Sequence, residues 1–89
     1  MNKAYVFVET AVGRSREIAM ELLRYDWVDF AERVTGPYDI VAMVTGYTAD
    51  EADEVLSRGL SDMDGVIRVV VCPIHSGQAA VPAIPALVH

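Results

Sequence analysis

A chain of 89 residues holds one small domain and excludes a multidomain enzyme. With 7 Lys and Arg against 13 Asp and Glu, its net charge of −6 argues against nucleic acid or an anionic membrane as a direct partner. The composition is globular, and 53% hydrophobic residues is much for so small a unit to hide alone, so self-association is the first physical expectation.

Residues 4–8, AYVFV, predict a buried strand with Ala4, Val6 and Val8 on one face and Tyr5, Phe7 and Glu9 on the other. Gly13 ends that run. Ser15 is placed to cap a helix reaching about residue 25, with Ile18, Ala19, Leu22 and Leu23 as its apolar stripe. Residues 28–34 alternate, Val28, Phe30, Glu32 and Val34 against Asp29, Ala31 and Arg33, which predicts a half-exposed edge strand. Thr35-Gly36-Pro37-Tyr38-Asp39 is a turn, and residues 40–45 complete a hairpin with a strand apolar on both faces.

After Gly46, Thr48-Ala49-Asp50-Glu51 forms a capping box for a helix whose stripe is Ala52, Val55, Leu56, Leu60 and Met63. Gly59 inside that helix suggests a close strand contact beneath it. Asp64-Gly65 turns the chain into a last strand, residues 66–74, apolar on both faces apart from Arg68. Residues 76–89 carry no Lys, Arg, Asp or Glu and include Pro82 and Pro85. A loose end and an arm packed on a neighbour are both open readings of this tail. The division is therefore a domain over 1–75 and a tail over 76–89.

The order βαββαβ predicts an α+β, ferredoxin-like fold, with an antiparallel sheet whose first and third strands are central. Helices cover one sheet face only. The other face is apolar from several strands, and stacking it on a second copy is the simplest way to dry it.

No nucleophile elbow, P-loop or G-x-G-x-x-G occurs, so neither an enzyme nor a bound cofactor is expected. Cys72 and His75 have C-x-x-H spacing but too few companions for a metal site. The single cysteine fits a reducing cytoplasm, and no apolar run is long enough for a signal peptide or a bilayer span. The segment Thr35 to Asp39 has two readings. It is a hairpin turn held by an Asx-type hydrogen bond, or a cradle in which backbone N–H groups near Gly36 meet a carboxylate and Asp39 meets an ammonium group.

The run VTGPYDIVAMV closely resembles the V-T-G-x-x-D element and following strand in the effector domain of the leucine-responsive regulator/AsnC (Lrp/AsnC) family. The capping box, the D-G-V turn and the last apolar strand follow in matching order from about Lys3 to Ile74. The resemblance implies a non-enzymatic regulatory module linked to transcription, a homodimer with sheets face to face, and often a ring of dimers. It also implies a small effector, mostly an amino acid, bound where dimers meet. It carries ligand binding onto Thr35, Gly36, Pro37, Tyr38 and Asp39, and onto Arg68, Val69 and Val71 of the last strand. Val69, Val70 and Val71 depart from the small polar groups often found there, so either the effector is apolar in that part or polar recognition is weakened. Full-length members carry a helix-turn-helix, so this chain looks like a stand-alone version able to co-assemble with them. Two other readings stand beside this one. A small dimeric ferredoxin-like enzyme would need a deep pocket, and an ACT-type amino-acid sensor would pair side by side.

Overall fold

The computed structural model describes residues 2–46 and 58–75. Within them the chain runs β1 (Lys3–Thr10), α1 (Ser15–Leu22), β2 (Val28–Arg33), β3 (Ile40–Thr45), α2 (Arg58–Ser61) and β4 (Val66–Pro73). The strands form one sheet in the order β2-β3-β1-β4, with every pairing antiparallel. This is the expected ferredoxin-like α+β layout, with β1 and β3 central. The capping box at 48–51, the stripe residues Ala52, Val55 and Leu56, and the tail 76–89 lie outside the described residues.

Strand alternation decides where the core sits. Ala4, Val6 and Val8 of β1 and Ile40, Ala42 and Val44 of β3 are all buried on one sheet face. Ile18, Ala19 and Leu22 of α1 and Leu60 of α2 pack on them, with Trp27, Ala31, Met63, Val66, Val69 and Val71 around the margin. The helix is shorter than its pattern suggests. It stops at Leu22, and Leu23 is 52% exposed. Ser15 does not cap it either: Arg14 holds the N-cap position without a side-chain cap bond. Ser15 is already the first helical residue, one place too late for its hydroxyl to reach the orphan N–H groups.

Two bulges shift side chains relative to the simple alternation. In β2 the register slips between Val28, paired with Val44, and Phe30, paired with Met43. Val28 and Ala31 therefore face the helices while Phe30 faces away, whereas strict alternation puts Val28 and Phe30 together. A second irregularity at Glu9/Thr10 lets β4 pair Arg68 with Glu9 and Val66 with Thr10, leaving Ile67 exposed. Such bulges absorb one residue and reset the phase of everything beyond them.

The expected close contact at Gly59 is absent: nothing lies within 4 Å of a Cβ built there. The constrained glycine is Gly65. Its φ is +91°, and an added Cβ would sit 3.1–3.3 Å from the Arg14 and Ile18 side chains. The Asp64-Gly65 turn is thereby docked under α1. Arg14 Nη2 donates to Asp64 Oδ2 at 3.2 Å, and the Ala11 N–H donates to the Gly65 carbonyl at 2.8 Å. Asp64 thus anchors the turn that launches β4. Arg14 also pairs with Glu17.

Candidate functional site

The sheet face that no described helix covers, the helix-free face, carries Tyr5 and Phe7 from β1, Phe30 from β2, Val41 and Met43 from β3, and Val70 and Cys72 from β4. Their cross-strand registers are Phe7 with Val41 and Val70, Tyr5 with Met43 and Cys72, and Phe30 with Met43. All are half-buried or exposed, Tyr5 at 40%. Rings run along this face: Tyr5 to Phe7 at 6.5 Å between centroids, then Phe7 to Tyr38 at 5.6 Å. The Arg68 guanidinium stands over the Tyr38 ring at 5.7 Å.

The β2–β3 connection folds back beside these rings. Gly36 makes that possible with φ +131°, a region L side chains rarely enter. The fold-back closes a groove of about 310 Å³ lined by Phe7, Val34, Thr35, Pro37, Tyr38 and Val41. Its walls are almost entirely apolar, apart from the Thr35 and Tyr38 hydroxyls. Alternation alone turns Phe7 toward the open face, but only the register of β1 with β3 brings Phe7 and Val41 to the loop.

Asp39 plays a different part from either sequence reading. Its Oδ2 accepts the Thr10 N–H at 2.8 Å, across 29 residues of sequence. Its own N–H donates to the Val8 carbonyl, and its carbonyl accepts from the Val34 N–H, each at 2.9 Å. β3 begins at Ile40, paired with Val8, so no strand residue remains opposite Thr10. The carboxylate supplies the missing ladder acceptor and fixes the loop to β1. Asp39→Ala is therefore expected to cost about 1–3 kcal/mol, the range for losing a charged partner of a partly buried N–H. Asp39→Asn retains an acceptor oxygen and should recover most of that loss. Urea unfolding of the two variants checks the difference.

The structure thus brings Thr35, Pro37 and Tyr38 together in one groove, with Gly36 shaping the loop and Arg68 joined through Tyr38. It does not bring in Val69 and Val71. They pair with Val8 and Val6, share the helix-covered face and pack against the core. The outward residue between them is Val70. The groove's further walls, Phe7, Val34 and Val41, were not among the sequence candidates.

An open-faced ferredoxin-like sheet with an apolar groove beside its G-x-x-D loop is the architecture of a small regulatory ligand-binding domain. The model of the Lrp/AsnC ligand binding domain matches residues 3–76, and the chain belongs to this family. The family is a regulatory, effector-binding one rather than an enzyme family. Among solved structures, TTHA0845 from Thermus thermophilus is 28% identical, with 93% of this chain and 100% of that one covered at a TM-score of 0.78. FFRP-DM1 is 25% identical over 84% of this chain and 100% of its own, with a TM-score of 0.77. The hypothetical protein PHS023 from Pyrococcus horikoshii, 24% identical over 88% of this chain and 94% of its own, shares the fold at a TM-score of 0.75. No curated protein matches the chain. No described helix is long and apolar enough to cross a membrane.

Proposed function

We propose that this domain is a cytoplasmic, non-enzymatic effector-binding and assembly module that acts in transcriptional regulation. Two copies stack their helix-free sheet faces, and a small molecule, an amino acid or a close relative of one, occupies the groove beside the 35–39 loop. Thr35, Pro37 and Tyr38 line that site, Gly36 shapes it, Asp39 holds it to β1, and Arg68 stands at its rim. Val69 and Val71 contribute by holding the Arg68 strand against the core. Dimers meeting around such grooves form a ring, and full-length family members are the macromolecular partners to expect.

The observation that carries this reading is the apolar sheet face itself. Tyr5, Phe7, Phe30, Val41, Met43 and Val70 form one surface with no helix over it among the described residues. A face of this kind on a small acidic domain is an interaction site. A groove that opens onto it couples occupancy to assembly, because a ligand that binds only the assembled state stabilises that state by mass action. At about a hundredfold excess over Kd the gain is about 2.7 kcal/mol. For a domain of this size that raises Tm by on the order of 10 °C. An amino-acid panel screened by thermal melting and sedimentation velocity tests the reading. At least one member should raise Tm and shift the sedimentation coefficient of a species already larger than a monomer. A monodisperse monomer indifferent to the whole panel would refute it.

A further inference from the structure

The family match ends at residue 76, and the chain continues through GQAAVPAIPALVH. This continuation has a period of three. Val81, Ile84 and Leu87 recur at that spacing, as do Pro82, Pro85 and Val88, and the third series is Ala80, Ala83 and Ala86. A polyproline II helix has three residues per turn, so each series would form one ridge of it. Two ridges are then bulky and apolar, and the third is small. Proline cannot continue an α-helix, but its fixed φ is the one polyproline II needs. Such a helix makes no internal hydrogen bonds, so its carbonyls stay free to accept, and segments of this kind dock on aromatic-lined surfaces.

An aromatic surface stands at the end of the sheet from which this segment leaves. Just before β2, Tyr25 and Trp27 stack with centroids 4.9 Å apart and 29° between their planes. Trp27 packs against the margin of the core, and Tyr25 is 40% exposed. The Trp27 indole N–H makes no hydrogen bond among the described residues. The backbone beneath the rings is fixed: the Tyr25 carbonyl accepts the Val28 N–H at 3.1 Å, and the Trp27 carbonyl accepts the Thr45 N–H at 3.0 Å. Thr45 pairs with Lys3, whose carbonyl accepts the Ile74 N–H at 2.8 Å. Ile74, Lys3, Thr45 and Trp27 therefore form one row across the end of the sheet, three strand spacings or about 14 Å wide. Residues 76–80 are small or polar, and extended they span at most about 18 Å, enough to carry the ridges to the rings. Residues 81–88 bear no Lys, Arg, Asp or Glu, so docking them buries no charge. We infer that residues 81–88 dock as a polyproline II helix on the Tyr25–Trp27 shelf of their own domain. The Pro82 and Pro85 ridge lies against the rings, and the indole N–H donates to a carbonyl of the segment. Tethering by a short linker gives an effective concentration on the order of millimolar, which favours the chain's own segment over one from outside. The shelf is separate from the groove, so the inference stands or falls independently of the effector reading.

Trp27 is the chain's only tryptophan, so its fluorescence reports the state of the shelf. The test compares emission and acrylamide quenching of the full chain with two full-length double variants. Pro82→Gly with Pro85→Gly removes the rings and the stiffness of the docking ridge, while Ala83→Ser with Ala86→Ser alters only the small ridge. The glycine pair should shift Trp27 emission to the red and raise its quenching constant. The serine pair should match wild type in both. All three proteins should share one far-ultraviolet circular dichroism spectrum, because the substitutions lie beyond β4. Wild-type emission should also stay constant on dilution. If the glycine pair behaves as wild type, the segment is not on the shelf, which is then open to another protein, and the inference falls. If the serine pair shifts emission as far as the glycine pair, the contact does not follow the ridges and the polyproline II geometry falls. If wild-type emission moves to the red on dilution, the segment on the shelf belongs to a second copy, and docking on its own domain is overturned.

Discussion

Met43→Glu is expected to turn an assembled protein into folded monomers. Met43 lies on central strand β3, on the helix-free face, with Tyr5 of β1 and Phe30 of β2 as its cross-strand neighbours. In an isolated subunit the new carboxylate reaches water, since the side chain it replaces is only half-buried. In a face-to-face pair it would be enclosed among two subunits' aromatic and aliphatic groups with no cation beside it. Burying an unpaired charge costs several kcal/mol even after relaxation. A loss of about 3 kcal/mol already raises the dimer Kd more than a hundredfold. The control is the same exchange at Met20, which is 58% exposed on α1, away from that face. Surface changes of that kind stay within about 0.5 kcal/mol. Sedimentation equilibrium should show Met43→Glu as a monomer and Met20→Glu unchanged, with matching circular dichroism. A Met43→Glu protein that stays dimeric at the wild-type Kd would place the seam elsewhere, on the β2 or β4 edge.

The central strands were legible because their signal is local. β1 and β3 alternate without interruption, so Ala4, Val6 and Val8, and likewise Ile40, Ala42 and Val44, could be assigned to a face from spacing alone. The edge strands were less legible for a physical reason. A bulge leaves no mark in hydrophobic periodicity, yet it inverts every later side chain, and both edge strands carry one. In β2 it separates Phe30 from Val28. In β4 the phase is set by pairing with β1, and that pairing turns Val69 and Val71 inward and Arg68 and Val70 outward. The role of Asp39 was hidden differently. The G-x-x-D spacing suggests a locally closed turn, but the N–H that needs the carboxylate belongs to Thr10, on a strand formed much earlier in the chain. The groove has the same character, because Phe7 and Val41 join the loop only once three segments of sequence are folded together.

Leu22→Ala should be the most destabilising single truncation on the helix side, and its contrast with Leu23→Ala locates the end of α1. Leu22 is 1% exposed and among the largest fully buried side chains, whereas its neighbour Leu23 is half exposed. α1 has only eight residues and meets the sheet through Ile18, Ala19 and Leu22. A helix so short has little intrinsic stability and depends on that packing. Removing a buried leucine's outer carbons costs about 2–5 kcal/mol, the upper part applying where the surroundings cannot collapse into the cavity. Val6, Val8 and Ile40 beneath belong to central strands paired on both sides and have little freedom to move. Against a total stability of about 5–15 kcal/mol, and toward the low end for a domain this small, the variant sits near its unfolding threshold. Leu23→Ala should cost less than about 1 kcal/mol, because most of its side chain is already in water. If folding and assembly are linked through the opposite sheet face, raising protein concentration should recover part of the Leu22→Ala loss in Tm. Urea unfolding of both variants, with thermal melts at two protein concentrations, reads all of this. Equal losses at the two leucines would mean that the helix packs one residue further than Leu22, and a concentration-independent Tm would detach the stability of the fold from a second copy.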